Sequence, residues 1–227
     1  MAPQLYGPEH ILYIVISTIA ASAALLLAKK YLQTERGKWI FLRILAALLF
    51  VSIAVNRLSM NHYFGSILIP DSFCGMTSLV LALAVLFGRK NNNVLHFVWL
   101  LGLFGGVSTV LYATFLDQNS SFFFLPTISG LLHHSLCAML VVALLSFKQI
   151  DITYKKWYCT LFGFSAYLTV GAFLMHVCGL SDAFHIAEPL ISGTPLTAWV
   201  MAPMYAVGYG LILLGVEIAK KKRSVNV

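Results

Sequence analysis

Charge is scarce in this sequence. Only 10% of its residues are Asp, Glu, Lys or Arg and 59% are hydrophobic, whereas a soluble globular domain carries about 25% charged residues. That shortage excludes a soluble helical core, whose helices would set polar faces against apolar ones. Low-complexity stretches, a linker and an internal repeat are also missing, so the chain reads as one domain over 1–227. Neither Cys-x-x-Cys-His nor His-Glu-x-x-His occurs. A metal or haem would need ligands converging from separate segments, and no cofactor or metal is expected. The opening MAPQLYGPEH has no Lys or Arg and so lacks the basic start of a cleavable signal peptide. Cys74, Cys137, Cys159 and Cys178 fall in or beside apolar segments, which argues against a secreted disulfide framework.

What the chain does have is seven apolar runs, at roughly 9–28, 40–58, 72–88, 94–115, 122–147, 157–180 and 198–219. Most approach the ~20 residues that cross a bilayer, and the third is short. The expected fold class is all-α, a polytopic membrane bundle of seven transmembrane helices. Charge in the connections is sorted. One set holds Lys29, Lys30, Arg36 and Lys38, then Arg89 and Lys90, then Lys148, Lys155 and Lys156, and finally the group Lys220 to Arg223. The other set has no Lys or Arg and carries Asp71, Asp117, Asp182, Glu188, His62 and His185. Basic loops stay cytoplasmic. The N-terminus is thus expected outside and the C-terminus cytoplasmic, in a bacterial plasma membrane.

The formal charge of +7 invites a nucleic-acid reading, but its placement argues against one. Thirteen of the fifteen basic residues flank helix ends, where they set topology and touch lipid headgroups. A nucleic-acid site needs a contiguous basic face. The partners expected are membrane lipids, with no nucleic acid.

Ionisable side chains inside hydrocarbon cost roughly 2.5–3.5 kcal/mol at the centre, so each one calls for a reason. Arg43 can snorkel to the basic side. Arg57, next to Asn56, is the one basic residue in the outer half, and either snorkels outward or faces a phosphate or carboxylate. Six of the seven histidines (His10, His62, His133, His134, His176 and His185) fall in the outer half. Singly, each reads as interfacial; together they mark the side where proton chemistry belongs. With Pro126 in the first turn, His134 lies about 12 Å into the fifth helix. Adjacent helical residues point about 100° apart, so only one of His133 and His134 is expected to aim at any given cavity. Cys74 opens the third helix in IPDSFCGM, where the positive end of the helix dipole favours a thiolate. Thiol and imidazole on one side are the parts of an acyl-transfer nucleophile and its base. Two unrelated buried polar residues, or histidines gathering a metal, remain alternatives on chemistry alone. The interrupted stretch SDAFHIAEPLISGTPLT at 181–197 reads as a lid or re-entrant segment.

GPEHIL at the first helix, IPDSFC at the third, WLLGLFGG in the fourth, GLLHHSL in the fifth and AWVMAPMYAV in the seventh together resemble the YwaF-type family that includes vertebrate transmembrane protein 164. The resemblance covers nearly the whole chain. It implies a membrane acyltransferase or lipase-like enzyme acting on glycerophospholipid acyl esters, with Cys74 as nucleophile and His134 as general base. Phospholipid or lysophospholipid would be the substrate. His133, Arg57, His10, Asp71, Asn56 and His62 are expected to support the site or hold substrate, Arg57 or His10 taking the headgroup phosphate. This chain departs from the family pattern in its polar Asp71 and Ser72, its second histidine His133, and Ser135 in place of glycine. A carrier for a small polar or anionic solute is the alternative from another class. Polar residues are sparse in the inner half, where a transport path would need them.

Overall fold

The computed structural model describes residues 4–113 and 121–225, and all its regular structure is helical. Asp117 lies outside the described residues. Seven α-helices follow one another: α1 (Pro8–Tyr31), α2 (Glu35–Phe64), α3 (Phe73–Leu86), α4 (Asn93–Leu111), α5 (Leu125–Ser146), α6 (Tyr158–His176) and α7 (Ala198–Val225). Their starts are written in the sequence. Thr34, Ser72 and Asn92 cap α2, α3 and α4 by accepting from Gly37, Gly75 and Leu95 N–H, and proline occupies the first turn of α1 and α5. Gly65 ends α2 in the left-handed region at φ 66°.

Helices α2 to α5 make the centre of the bundle, with Leu42, Leu49, Leu81, Val98, Leu140 and Leu144 fully buried there. Among helices in lipid, burial of leucine adds little drive, and close approach of small residues does more. Gly106 of α4 illustrates it. A Cβ there would stand 2.8 Å from the His134 carbonyl oxygen and 3.0 Å from the Ala138 nitrogen, so α4 and α5 touch backbone to backbone. Gly163 of α6 likewise admits the Phe97 ring, which a Cβ would meet at 2.2 Å.

The outer helices are held by polar ties. His10 bridges α1 to α4 through Nε2 and the Val110 carbonyl (2.8 Å), and Tyr13 bonds Ser135 of α5 (2.9 Å). On α7, the Tyr209 hydroxyl donates to the His96 carbonyl (2.7 Å) and accepts from Trp99 Nε1 (3.2 Å). Elsewhere α1 and α7 leave residues such as Leu12, Ile19, Leu26, Val207 and Leu211 exposed, as a lipid-facing surface would.

Among the described residues, six helices are long and apolar enough to cross a membrane. The 14-residue α3 is not; at 1.5 Å per residue it is about 21 Å long, short of the ~30 Å hydrocarbon core. It begins only at Phe73, after buried Pro70 and the Ser72 cap, and ends before Gly88, where a Cβ would lie 2.2 Å from the Ala84 carbonyl oxygen. Its flanks nevertheless reach both ends of α2. Asp71 pairs with Arg57, and Lys90 pairs with Glu35; those α2 residues are 22 positions apart, about 33 Å.

The stretch after α6, at 177–197, is neither helix nor free loop but a packed strap. Phe184 donates its N–H to the Asp71 carbonyl (2.7 Å), and Ala198 N–H reaches the His185 carbonyl (2.6 Å). Ala183 and Phe184 are buried, and the Phe184 ring lies 5.6 Å from Tyr167 and 5.5 Å from Phe73. Gly171 makes room, since a Cβ there would be 2.5 Å from Ile186. Phe184 and His185 both sit at positive φ, 54° and 56°, a bend that non-glycine residues adopt rarely.

Candidate active site

Cys74 is the second residue of α3. Ser72 caps Gly75 N–H at 3.2 Å and gives its carbonyl to Met76 N–H at 2.9 Å, which leaves Phe73 and Cys74 N–H as the unpaired donors of that turn. The thiol is free and half-buried. It rests against Gly105 of α4, where a Cβ would be 3.0 Å from the sulfur, and the Thr109 hydroxyl one turn on pairs with it. Gly105 and Gly106 are thus a paired notch: the first receives the thiol of α3 and the second the His134 backbone of α5.

Two hollows reach the start of α3. The first, about 170 Å³, is lined by Asn56, Arg57, Ser72, Thr127, His133 and His134, with Gly75 and Gly130 also in its lining. Arg57 reaches the Asp71 carboxylate at 3.4 Å and the carbonyls of Ile67 and Ile69. Asn56 donates to the Pro126 carbonyl (3.0 Å) and Ser129 Oγ (3.1 Å). His133 places Nδ1 3.2 Å from the Ser129 carbonyl. Three nitrogens in this shell are buried with no partner: Arg57 Nε, His133 Nε2 and His134 Nδ1. The two imidazoles lie 4.0 Å apart at 36° and line the same cavity, which corrects the expectation that only one of them could. His133 leans back over its own preceding turn to reach Ser129, as helical side chains do.

The second hollow, about 230 Å³, is lined by Cys74, Phe73, Leu101, Phe104, Phe164 and Tyr205, and closed by the strap through His185 and Leu190. It is overwhelmingly apolar. Ser72 belongs to both hollows.

The structure therefore brings Arg57, Asn56, His133 and His134 together, with Asp71 behind Arg57, and sets Cys74 across the α3 turn from them. Among the described residues no hydrogen bond joins Cys74 to His134, and the two line different hollows. His10 and His62 are not in either one. His10 is spent on Val110 and on Tyr6 N–H (3.1 Å), and exposed His62 packs on Tyr63 at 4.7 Å. Cys137 is fully buried with its sulfur 3.5 Å from the Gly102 carbonyl, a packing residue. His185 was missed as a site residue. It shares the hollow of Cys74, with Asp182 Oδ2 3.9 Å from its Nδ1; the Asp-x-x-His spacing in the strap was the available signal. No three His, Cys, Asp or Glu side chains among the described residues converge on a metal position.

The sequence model of the TMEM164 family matches residues 5–218. The chain belongs to the TMEM164 family. That span takes in every residue that lines the two hollows, so the site described here lies within the shared family region. The transmembrane protein 164 side of the resemblance is confirmed by the match. No curated protein and no solved structure matches the chain significantly. As a TMEM164 family member with six long apolar helices, it is a multi-pass membrane protein.

Proposed function

We propose that this TMEM164 family member moves fatty acyl groups between glycerophospholipids, with Cys74 as the acyl-accepting nucleophile. The observation that carries the reading is the free Cys74 thiol at the start of α3, lining an apolar hollow sized for chain methylenes that shares Ser72 with a polar hollow bearing an arginine and two histidines. The thiolate attacks the ester carbonyl carbon, a C–S bond forms, and the C–O bond to the glycerol breaks. The thiol proton passes to a histidine and from it to the departing lysophospholipid oxygen. In the second half an acceptor hydroxyl attacks the thioester and returns its proton through the same histidine, and the C–S bond breaks. The unpaired N–H groups of Phe73 and Cys74 are placed to receive the oxyanion. His134 is the base by family resemblance, and His185, with Asp182 3.9 Å away, is the histidine that shares the hollow of Cys74.

The topology that fits this chemistry has seven crossings, α3 with its flanks being one, the N-terminus outside and the lysine-bearing ends cytoplasmic. The active site then lies in the outer leaflet, and a bacterial plasma membrane is the location proposed. The test is acyl exchange between labelled phospholipid and lysophospholipid by purified protein in liposomes. Mass spectrometry of the trapped enzyme should find an acyl thioester on Cys74. Undiminished exchange by Cys74→Ala overturns the proposal.

A further inference from the structure

We infer that the polar hollow between α2, α3 and α5 binds a phosphate group, an assignment that rests on the acyl-transfer reading only for its link to lipid. Three side chains on two helices that line one small cavity each carry a buried nitrogen with no partner: Arg57 Nε, His133 Nε2 and His134 Nδ1. Both histidines are more than nine-tenths buried, at 6% and 7% exposure. Buried polar atoms without partners are costly, and two tilted imidazoles 4.0 Å apart, in a lining shared with an arginine, gather three of them around one hollow. Structural roles account for the other nitrogens here. Arg57 spends its two terminal nitrogens on Asp71 and on the carbonyls of Ile67 and Ile69, and Asn56 is spent on α5. What remains is three nitrogens without a partner in the protein, on side chains that line the hollow.

The guest must offer several acceptors in a compact space. A volume of about 170 Å³ holds several waters at ~30 Å³ each, or one phosphate with the start of its substituent. An oxyanion takes the Arg57 Nε–H and the His134 N–H directly. His133 holds its Nδ1 against the Ser129 carbonyl, so its Nε2 accepts a proton from a P–OH or stands as imidazolium against the anion. A phosphate monoester suits this set best, since it carries both. Asp71 limits the affinity: its carboxylate already draws on Arg57 at 3.4 Å with more than a third of its side chain exposed. The same chemistry would serve inorganic phosphate or the phosphate of a lipid, and Ser72, common to both hollows, sets a lipid phosphate one side chain from the thiol.

The experiment titrates the full chain in nanodiscs of a zwitterionic lipid with inorganic phosphate and, separately, with lysophosphatidate, reading thermal shift and ³¹P line broadening. Cys74→Ala protein is used throughout, so that binding is read whether or not acyl transfer occurs. Saturable binding of lysophosphatidate that inorganic phosphate displaces is expected. Arg57→Gln and His134→Asn should each weaken it by about tenfold, the loss of one charge-assisted hydrogen bond. Because Arg57→Gln also loses its ties to Asp71, Ile67 and Ile69, Asp71→Asn is the decisive variant: it frees the guanidinium, and binding should tighten several-fold. Weaker binding in Asp71→Asn, or no binding by the parent protein, overturns the site. Binding of inorganic phosphate with none of lysophosphatidate supports the site and overturns its link to lipid. Binding that survives while the chain with Cys74 intact proves inactive in acyl exchange sinks the enzyme reading and keeps the phosphate site.

Discussion

The two ends of the bundle arrange their polar groups differently. At the lysine-bearing end several exposed charges are paired across loops. Glu35 accepts from Lys38 (2.9 Å), Lys90 (2.7 Å) and Gln149 (3.1 Å), Lys220 reaches Asp151 (2.8 Å), and Lys156 reaches Asn93 (2.6 Å). Such surface pairs close loops and add little stability. At the histidine-bearing end charge is sparse, yet Arg57 is mostly buried, held by one long ion pair and backbone carbonyls, and three nitrogens go unbonded. Both ends keep buried polar atoms open, His96 Nδ1, Gln149 Oε1 and Glu217 Oε2 at the lysine-bearing end among them, but the histidine-bearing end gathers three nitrogens on side chains that line one hollow. Capacity to bind and react follows where the unused groups gather and not the charge count.

Substitutions can break that contrast. The largest effect is expected from Cys74→Ala: acyl exchange in liposomes falls to background while the melting temperature holds, because the thiol's contacts are a glycine and a hydroxyl. Next come His134→Ala and His185→Ala, compared in the same assay. Loss of the true base costs ~10²–10⁴-fold in rate, and whichever histidine carries that loss names the proton path. Gly106→Val follows. Its side chain would strike the His134 carbonyl and Ala138, and overpacking of about 1–3 kcal/mol should appear as a lower midpoint of unfolding, with exchange impaired because His134 moves. The smallest is Glu35→Gln at the other end, which should leave exchange unchanged and the melting temperature nearly so. A large activity loss there would dissolve the distinction between the ends.

Helix starts, the sorting of charge and the outer location of the histidines were legible in the sequence, since caps, prolines and lysine positions each act locally. The partnership of Cys74 was not. Whether a side chain at the start of α3 turns toward α5 or toward α6 and α7 depends on helix rotation, which Gly105, Gly106 and the Phe184 strap decide over long range. The shared cavity of His133 and His134 was hidden for a related reason. A helical wheel fixes where Cα–Cβ bonds point, and the imidazoles lean beyond that. His10 read as a ligand candidate because depth and type were visible, whereas the Val110 carbonyl that occupies it was not.

Ser72 lines both hollows, and it does so as a helix cap. That cap rests on a single hydroxyl-to-amide bond, a contact worth about 1 kcal/mol. Fraying a single turn of a helix only 14 residues long would merge the oily compartment with the arginine-lined one, giving an amphiphile a continuous berth for head and tail.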